Sequence, residues 1–252
     1  MAQTLKFGNK TWATKVGSTL AYNDENGNYK PLPFAFTRST SATRVNKEGL
    51  IEVVTNDRPR IDYTDTSDGV LLLEKAATNL IINSNNFNAN SNVTLDLNNL
   101  ISPDGIQNAV KINANSGTSL KLVDTNGASS GTYMFSVFAK KGTYNIIQLG
   151  AGGVSGHANF DLEIGICNSG GFIKNYGNGW YRCSVQLSSG TPSSHYISFA
   201  DSLNSSRLST CVNDGNFYVY GMQSEAENLS SYIPTQGSAS TRVAETANNS
   251  GN

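Results

Sequence analysis

Six dipeptides of one kind divide this sequence into short segments. Each consists of Asn or Asp followed by Gly, and the six are Asn26-Gly27, Asp68-Gly69, Asp104-Gly105, Asn126-Gly127, Asn178-Gly179 and Asp214-Gly215. Such pairs accept a positive φ at both central positions of a type I′ turn, whose twist matches that of the strands it joins. The sequence therefore predicts a chain built from β-hairpins.

The segments between these turns show the period of β-strands. Between Asn159 and Ile164, Phe160, Leu162 and Ile164 alternate with polar residues, which is typical of a strand with one buried face. Strands covered on both faces are bulky at nearly every position, as are residues 133–138, 144–149 and 217–222. No segment sustains helical spacing over three turns. We expect an all-β protein.

Charge and hydropathy exclude two classes of partner. Only 15% of the 252 residues are charged and the formal net charge is -1, whereas a general nucleic-acid binder needs a clustered Lys/Arg excess. The longest aliphatic run, Val70–Leu73, is far shorter than the roughly 20 residues that span a bilayer. We therefore expect neither nucleic acid nor a membrane as a partner.

The N-terminus and the cysteines bear on the compartment. Residues 1–8 lack the apolar segment of a secretory signal, so we expect no secretory signal there. Cys167, Cys183 and Cys211 are odd in number and lack a CxxC spacing, which argues against a disulfide framework and a zinc site. We expect these cysteines to be reduced and buried.

Composition divides the chain into three predicted segments. Residues 1–82 hold three of the six prolines, Pro31, Pro33 and Pro59. Because proline confines strands to edges, we interpret this part as an extended assembly segment that cannot close a core alone. Residues 83–235 carry strand and turn signals at a spacing of about 8–12 residues, typical of an antiparallel β-sandwich or barrel. Residues 236–252 form a tail that is expected to fray from Glu245 onward, because it lacks an apolar anchor. The candidate assembly residues are Arg38, Arg44, Arg58, Arg60 and Asp62.

A short internal echo links the two ends of the chain. Ser41–Asn46 reads SATRVN and Ser238–Ala244 reads SASTRVA. Chance in a Ser/Thr-rich chain is one explanation. The other is a pair of equivalent strands that lie side by side.

The segment from Phe36 to Glu52, FTRSTSATRVNKEGLIE, resembles a segment that recurs in bacteriophage virion proteins. Further matching motifs follow in the same order over nearly the whole chain: Pro59–Tyr63, Leu71–Glu74, Thr78–Leu80, Asn178–Cys183, Tyr218–Gln223 and Ser231–Thr235. The chain is thus similar to phage fibre and appendage proteins, of the tail-fibre or head-fibre type, that contain a carbohydrate-binding-module-like jelly roll.

The resemblance implies a structural protein of the virion, assembled in the host cytoplasm. It implies a jelly-roll-like fold for residues 83–235, a homotrimer, and other capsid or tail proteins as partners. Since little sequence follows the second Thr-Arg motif, a short capsid-bound fibre is expected rather than a full tail fibre.

Residues for catalysis are sparse. His195 shares a strand face with Ile197 and Phe199, so a partly buried, hydrogen-bonded histidine is favoured, and His157 is expected on a loop. Asp161 and Glu163 share a strand face and could form the pair of carboxylates of a glycosidase. Their positions on a solvated strand face are the simpler explanation. We expect no enzyme and no catalytic residue.

Cofactor and metal motifs are also missing. Asp24, Asn26 and Asn28 have the spacing of the first calcium ligands of an EF-hand, but Ala35 stands where a bidentate Glu is required. A hairpin turn is the better interpretation. We expect no cofactor and no metal site.

Aromatic residues are the best binding candidates. Sugars pack their C–H groups on aromatic faces while amides, hydroxyls and Arg bind their hydroxyl groups. Trp180 and Arg182 alternate with Cys183, so they face outward or toward a neighbouring subunit if Cys183 faces the core; packing of Trp180 in the core is the alternative. Tyr176 and Tyr196 are weaker candidates of the same kind.

Together these patterns predict a non-enzymatic virion fibre or decoration protein. Its N-terminal segment is expected to mediate oligomeric assembly on the particle, and its sandwich to contact host-surface polysaccharide. Two alternatives stay open: a secreted bacterial glycan-binding lectin or adhesin, and a polysaccharide depolymerase.

Overall fold

The structure, a computed structural model, describes residues 12–23, 28–31, 35–154 and 156–248. Its regular secondary structure consists of antiparallel β-strands, and no helix occurs among these residues, so the predicted all-β class is confirmed. The same residues contain no helix that is long and apolar enough to cross a membrane. The N-terminal residues 1–8 and the dipeptide Asn26-Gly27, with most of the turn around it, lie outside the described residues.

The strands are short in the first third of the chain and longer afterwards. Nine precede residue 80: β1 (Trp12–Lys15), β2 (Ser18–Asn23), β3 (Asn28–Pro31), β4 (Ala35–Thr37), β5 (Ala42–Val45), β6 (Ile51–Val54), β7 (Arg60–Asp62), β8 (Val70–Leu72) and β9 (Ala77–Asn79). Twelve follow: β10 (Phe87–Ser91), β11 (Val93–Ile101), β12 (Gln107–Ala114), β13 (Leu122–Lys141), β14 (Ile146–Ala151), β15 (His157–Asp161), β16 (Ile166–Cys167), β17 (Gly171–Asn175), β18 (Trp180–Phe199), β19 (Asn216–Ala226), β20 (Ser240–Arg242) and β21 (Thr246–Asn248).

The chain forms two compact units that are not consecutive in sequence. The small unit combines residues 1–77 with 230–233 and 241–252, and the large unit combines 78–229 with 234–240. The expectation of a frayed C-terminus from Glu245 is wrong for the described part. Glu245 is buried, and β21 pairs with β4, because a buried ion pair and a strand ladder replace the missing apolar anchor.

A ten-stranded antiparallel sheet forms the large unit. Its strand order is β11-β12-β19-β13-β18-β14-β15-β16, with β10 also paired to β13 and β17 to β18. The long strands β13 and β18 pair with each other from Lys140↔Trp180 at one end to Leu122↔Ser198 at the other. The register shifts twice on the way, between Asp124 and Ala128 and between Ser129 and Gly131. Such bulges bend and twist a strand.

One hydrophobic core receives side chains from both ends of this long ribbon. Phe135, Val137, Cys183 and Val185 point into it from one end, and Ile197 joins it from the other. The inward positions of Cys183 and Val185 and the burial of His195 are as predicted. Phe160 and Leu162 are buried as well, but Ile164 is exposed because β15 ends at Asp161 and the chain turns there.

Three of the six dipeptides lie between paired strands, as expected, but only Asn178-Gly179 has a positive φ at both residues; in the other two only Gly69 and Gly105 do. Asp68-Gly69 lies between β7 and β8, and Asp104-Gly105 between β11 and β12. Asn178 and Gly179, before β18, have φ of 51° and 78°, the positive values that a type I′ turn requires. Asn126-Gly127 is different: it lies inside β13, where the ribbon shifts its register, and makes no hairpin turn. Asp214-Gly215 precedes β19 without closing a hairpin.

The small unit is a set of short ladders around a small core. Its strand pairs are β1-β2-β3, β4-β21, β5-β6 and β7-β8. Phe36, Ile61 and Leu71 form its core, and Ala247 from the C-terminal part packs against them. The two echoing Thr-Arg segments are not neighbouring strands, because β5 pairs with β6 while β20 pairs with β9.

Candidate functional site

The candidate assembly residues Arg38 and Arg60 lie inside the small unit. Both side chains are fully buried and converge on Glu245, with Nη1 of Arg38 and Nε of Arg60 each donating to Oε1 at 2.7 Å. Nη2 of Arg60 forms a second bond to Glu245 and one of 2.8 Å to Oε2 of Glu74. Residues more than 170 positions apart in sequence therefore share one ionic cluster, defined here as Arg38, Arg60, Glu74 and Glu245.

Backbone carbonyls and the hydroxyl of Ser231 accept the remaining hydrogen bonds from the guanidinium groups of this ionic cluster. Arg38 donates to the carbonyls of Thr40 and Thr55 at 2.8 and 2.6 Å, and Arg60 to that of Thr43 at 2.6 Å. Burial lowers the pKa of Arg38 below its ordinary value. Burial opposes the charge of Arg60 as well, but its hydrogen bond and ion pair with Glu245 raise the pKa above the ordinary value. Burial likewise opposes the charge of Glu74, yet the positive charges of Arg60 and Arg242 hold its pKa below the ordinary value.

The other three candidate assembly residues lie nearer the surface. Arg44 pairs with Glu52 at 2.5 Å, and both side chains are partly exposed. Asp62 accepts hydrogen bonds from the backbone N–H of Val45 and of Thr64 at 2.8 and 2.9 Å. Arg58 donates to the carbonyl of Thr14 at 3.0 Å. All three thus hold loops or strands of the small unit in place.

Trp180 and Arg182 do not offer an open surface. They do lie on the face of β18 opposite Cys183, as alternation predicts, but they are only 2% and 3% exposed. Nε1 of Trp180 donates to the carbonyl of Ile101 at 3.2 Å, at the start of the β11–β12 connection. The guanidinium of Arg182 lies 5.4 Å from the ring centroid of Phe138 and donates to Ser136 Oγ at 3.1 Å. Both side chains thus point away from the core that holds Cys183, but neither is open to solvent, and the alternative of a packed Trp180 describes it better. The second face of the sheet is covered here.

Tyr196 is also a buried structural residue. Its hydroxyl donates to Oε1 of Gln148 at 3.1 Å, and the guanidinium of Arg207 lies 5.7 Å from its ring centroid. Burial raises the pKa of Tyr196 to about 12. Gly150 runs against the ring, since a Cβ there would stand 2.3 Å from the hydroxyl oxygen. Tyr196 therefore fixes the packing of β14 on β18.

Tyr176 is the candidate aromatic residue that keeps an accessible part. It is partly exposed and meets Phe138 edge to face, with ring centroids 4.9 Å apart. Phe138 is fully buried and belongs to the same outer face of the sheet as Trp180 and Arg182. Tyr176 thus borders this outer face.

Strand register places five residues in one line across the outer face. The direct partners are Asp96↔Lys111, Lys111↔Tyr218, Tyr218↔Lys140 and Lys140↔Trp180. Directly opposed residues of antiparallel strands project from the same face, with Cβ atoms about 5 Å apart. We call this line the outer row. It runs over β11, β12, β19, β13 and β18.

Three members of the outer row were not expected from sequence. Lys111, Tyr218 and Lys140 are partly exposed and alternate with core residues such as Val219 and Ala139. That alternation is a signal visible in the sequence, because Tyr218 stands between Phe217 and Val219. The register that joins the three strands is set by the folded sheet and has no such local signal.

The groups considered for catalysis have structural partners. His195 stacks on Phe135, with ring centroids 4.6 Å apart, and burial lowers its pKa to about 3, which keeps the imidazole neutral. Asp161 accepts hydrogen bonds from Nδ2 of Asn145 and from the N–H of Glu163, both at 2.8 Å. Glu163 forms an ion pair with Lys141. His157 is partly buried near the carbonyl of Ser205, on β15 rather than on a loop.

No protein-family model matches this chain, and no curated protein shows significant similarity to it.

Proposed function

We propose that the protein is a non-enzymatic structural subunit of a phage virion appendage, of the head-fibre or tail-fibre type, that contacts host-surface polysaccharide. The observation that carries the contact role is the outer row, in which the partly exposed Tyr218 stands between two lysines. The virion role rests on the resemblance of the Phe36–Glu52 segment and of the motifs that follow it.

The fold of the large unit is proposed to be a jelly-roll-like sandwich. Two features support this. The long strands β13 and β18 shift register near their middle, and their two ends contribute to one core. Strands that pass from one sheet of a sandwich to the other do so at bulges or bends.

The extended segment at the N-terminus is proposed to act in assembly as part of the small unit. Arg38 and Arg60 support that role indirectly, because they hold residues 35–77 against the C-terminal segment that carries Glu245. The partners are other copies of the chain, as a homotrimer, and capsid or tail proteins of the particle, assembled in the host cytoplasm.

The polysaccharide role follows from the chemistry of the outer face. A Tyr ring offers an apolar face to sugar C–H groups and a hydroxyl to their oxygens. Tyr218 and Tyr176 are both partly exposed on this face. The buried Trp180 and Arg182 lie beside them and are assigned to the support of the face.

Three measurements test the proposal. Peptides of this protein are expected in mass spectra of purified phage particles of the producing host, and sedimentation is expected to give the mass of three chains. The purified protein is expected to bind on an array of host-surface polysaccharides. If peptides of this protein are absent from the particles, the virion role is contradicted. If no polysaccharide on the array binds the protein, the contact role is contradicted.

A further inference from the structure

We propose that the outer row binds an acidic polysaccharide, with Lys111 and Lys140 contacting the anionic groups of sugars that pack on Tyr218. This inference rests on the proposed function, because it names the class of glycan for the same surface. It is argued from the strand register of Lys111, Lys140 and Tyr218, from their partial exposure, and from the charged groups near the two lysines.

Register fixes the two lysines on opposite sides of the tyrosine. Lys111 on β12 and Lys140 on β13 are both direct partners of Tyr218 on β19. Because neighbouring strands are about 4.8 Å apart, the two lysine backbones lie about 10 Å apart with the tyrosine midway. Sugars that cover the ring therefore lie within reach of an ammonium group on each side.

Within the described part of the chain, no ion pair neutralises the charge of Lys111 or of Lys140. Elsewhere in the large unit, Lys121 pairs with Asp214 and Lys141 with Glu163. Among the described residues, Lys111 and Lys140 have no carboxylate within 4.0 Å.

The groups around the two lysines leave their donors available. Nζ of Lys140 donates to the carbonyl of Asn178 at 2.6 Å, which fixes its position and leaves two further N–H donors. Asp96 lies beyond Lys111 at the end of the row and accepts a hydrogen bond from Nδ2 of Asn113 at 3.0 Å. The net charge of Asp96, Lys111 and Lys140 is positive, which complements an anionic ligand.

Each lysine is expected to make a modest, salt-sensitive contribution. Hydrogen bonds to charged groups exceed neutral ones in strength, but exposure to water and salt reduces the gain. Loss of one lysine charge should therefore weaken binding about three- to tenfold.

The test measures affinity by titration calorimetry with three polysaccharides: alginate, which is carboxylated, dextran sulfate, which is sulfated, and neutral dextran. The proteins are the full chain, the charge-removing variants Lys111→Met and Lys140→Met, and Tyr218→Ala. Lys47→Met is the matched control, because it removes an exposed lysine from the small unit and changes the net charge equally. Circular dichroism spectra and melting temperatures confirm that the variants fold.

The proposal predicts that at least one anionic polymer binds and dextran does not. It also predicts that both lysine substitutions weaken this binding about three- to tenfold, that Lys47→Met does not, and that added salt weakens it. Preference for alginate or for dextran sulfate identifies the acidic group. Equal binding of dextran, or anionic binding unchanged by the lysine substitutions, overturns the inference.

The two proposals fail in distinguishable ways. If dextran or a neutral host polysaccharide binds and Tyr218→Ala abolishes that binding, the contact role stands and the acidic ligand is wrong. If none of the three polymers and no host polysaccharide binds, both are wrong.

Discussion

His195 shows at the scale of one residue how burial sets a property that the sequence only suggests. Its strand face predicts burial, and the structure adds the stack on Phe135 and the edge contact with Tyr133. Nδ1 lies 3.4 Å from Thr125 Oγ1, and Nε2 has no hydrogen-bond partner among the described residues. An imidazole in such surroundings resists protonation, because nothing compensates the lost hydration of the cation.

Acid is therefore expected to destabilise the large unit through His195. The folded pKa of about 3 lies below the ordinary 6.5 of the unfolded chain, so between these values only the unfolded chain binds the proton. The contribution of His195 to the free energy of unfolding is fully present above pH 6.5. It falls by about 1.4 kcal/mol per pH unit as the pH drops toward 3. Urea unfolding at pH 7 and pH 5 measures the effect. Between pH 7 and pH 5, the free energy of unfolding of His195→Phe should fall by about 2 kcal/mol less than that of the wild type. An equal fall in both proteins would contradict a role of His195.

Glu245 is the residue on which the ionic cluster depends. Glu245→Gln removes the charge that faces Arg38 and Arg60, and breaking a buried pair in this way costs about 3–5 kcal/mol. Urea unfolding of the small unit gives the loss. Glu52→Gln is the matched control, because its pair with Arg44 is partly exposed and contributes less than about 1 kcal/mol. Equal effects of the two substitutions would show that burial does not set the strength of the cluster.

Individual elements were predictable where the signal is local. The alternation around Cys183 and Val185 and the Asn178-Gly179 turn follow from neighbouring residues. The cover over Trp180 does not, because it comes from the connection after Ile101, about 80 positions away in sequence. The end of β15 before Ile164 was also missed, since a turn at Asp161 overrides an alternating pattern that continues past it.

The turn before β18 provides a test at this scale. Gly179 has a φ of 78°, and a Cβ there would stand 3.3 Å from Cε of Lys140. Gly179→Ala is expected to cost about 1–2 kcal/mol of unfolding free energy, because a left-handed backbone is strained with a side chain. Gly190→Ala, inside β18, is the control, with no atom within 4 Å of its added Cβ. A loss no larger than that of Gly190→Ala would mean that the turn relaxes freely.

At the scale of the whole molecule, the chain organisation departs from a simple succession of segments. The sequence indicates a boundary near residue 80, and the structure divides the chain after Ala77. Residues 230–233 and 241–252 return to the small unit, which was not predictable because polar contacts hold them there. Glu245 accepts hydrogen bonds from Arg38 and Arg60. The N–H and the hydroxyl of Ser231 donate to Glu74. Buried ionic contacts leave no hydrophobic period in a sequence.

The candidate surface was predicted only in part, for a related reason. An aromatic surface on the sheet was expected, and Tyr176 borders it, but Trp180 and Arg182 support the surface instead of forming it. Tyr218 becomes its centre through register across three strands.

The polysaccharide site on the outer row is tested by the affinity of the full chain for the host polysaccharide that it binds best, measured for wild type, Tyr218→Ala and Phe172→Ala. Phe172 is the matched control, since it is 61% exposed on the edge strand β17 and, as the partner of Ser184, lies on the same outer face but outside the outer row. We expect Tyr218→Ala to lower the affinity at least about tenfold, because the loss of the aromatic contact, about 1 kcal/mol, adds to the loss of its buried area. Phe172→Ala is expected to keep the affinity within about twofold of wild type. Unchanged binding by Tyr218→Ala, or an equal loss in both variants, would contradict a polysaccharide site on the outer row.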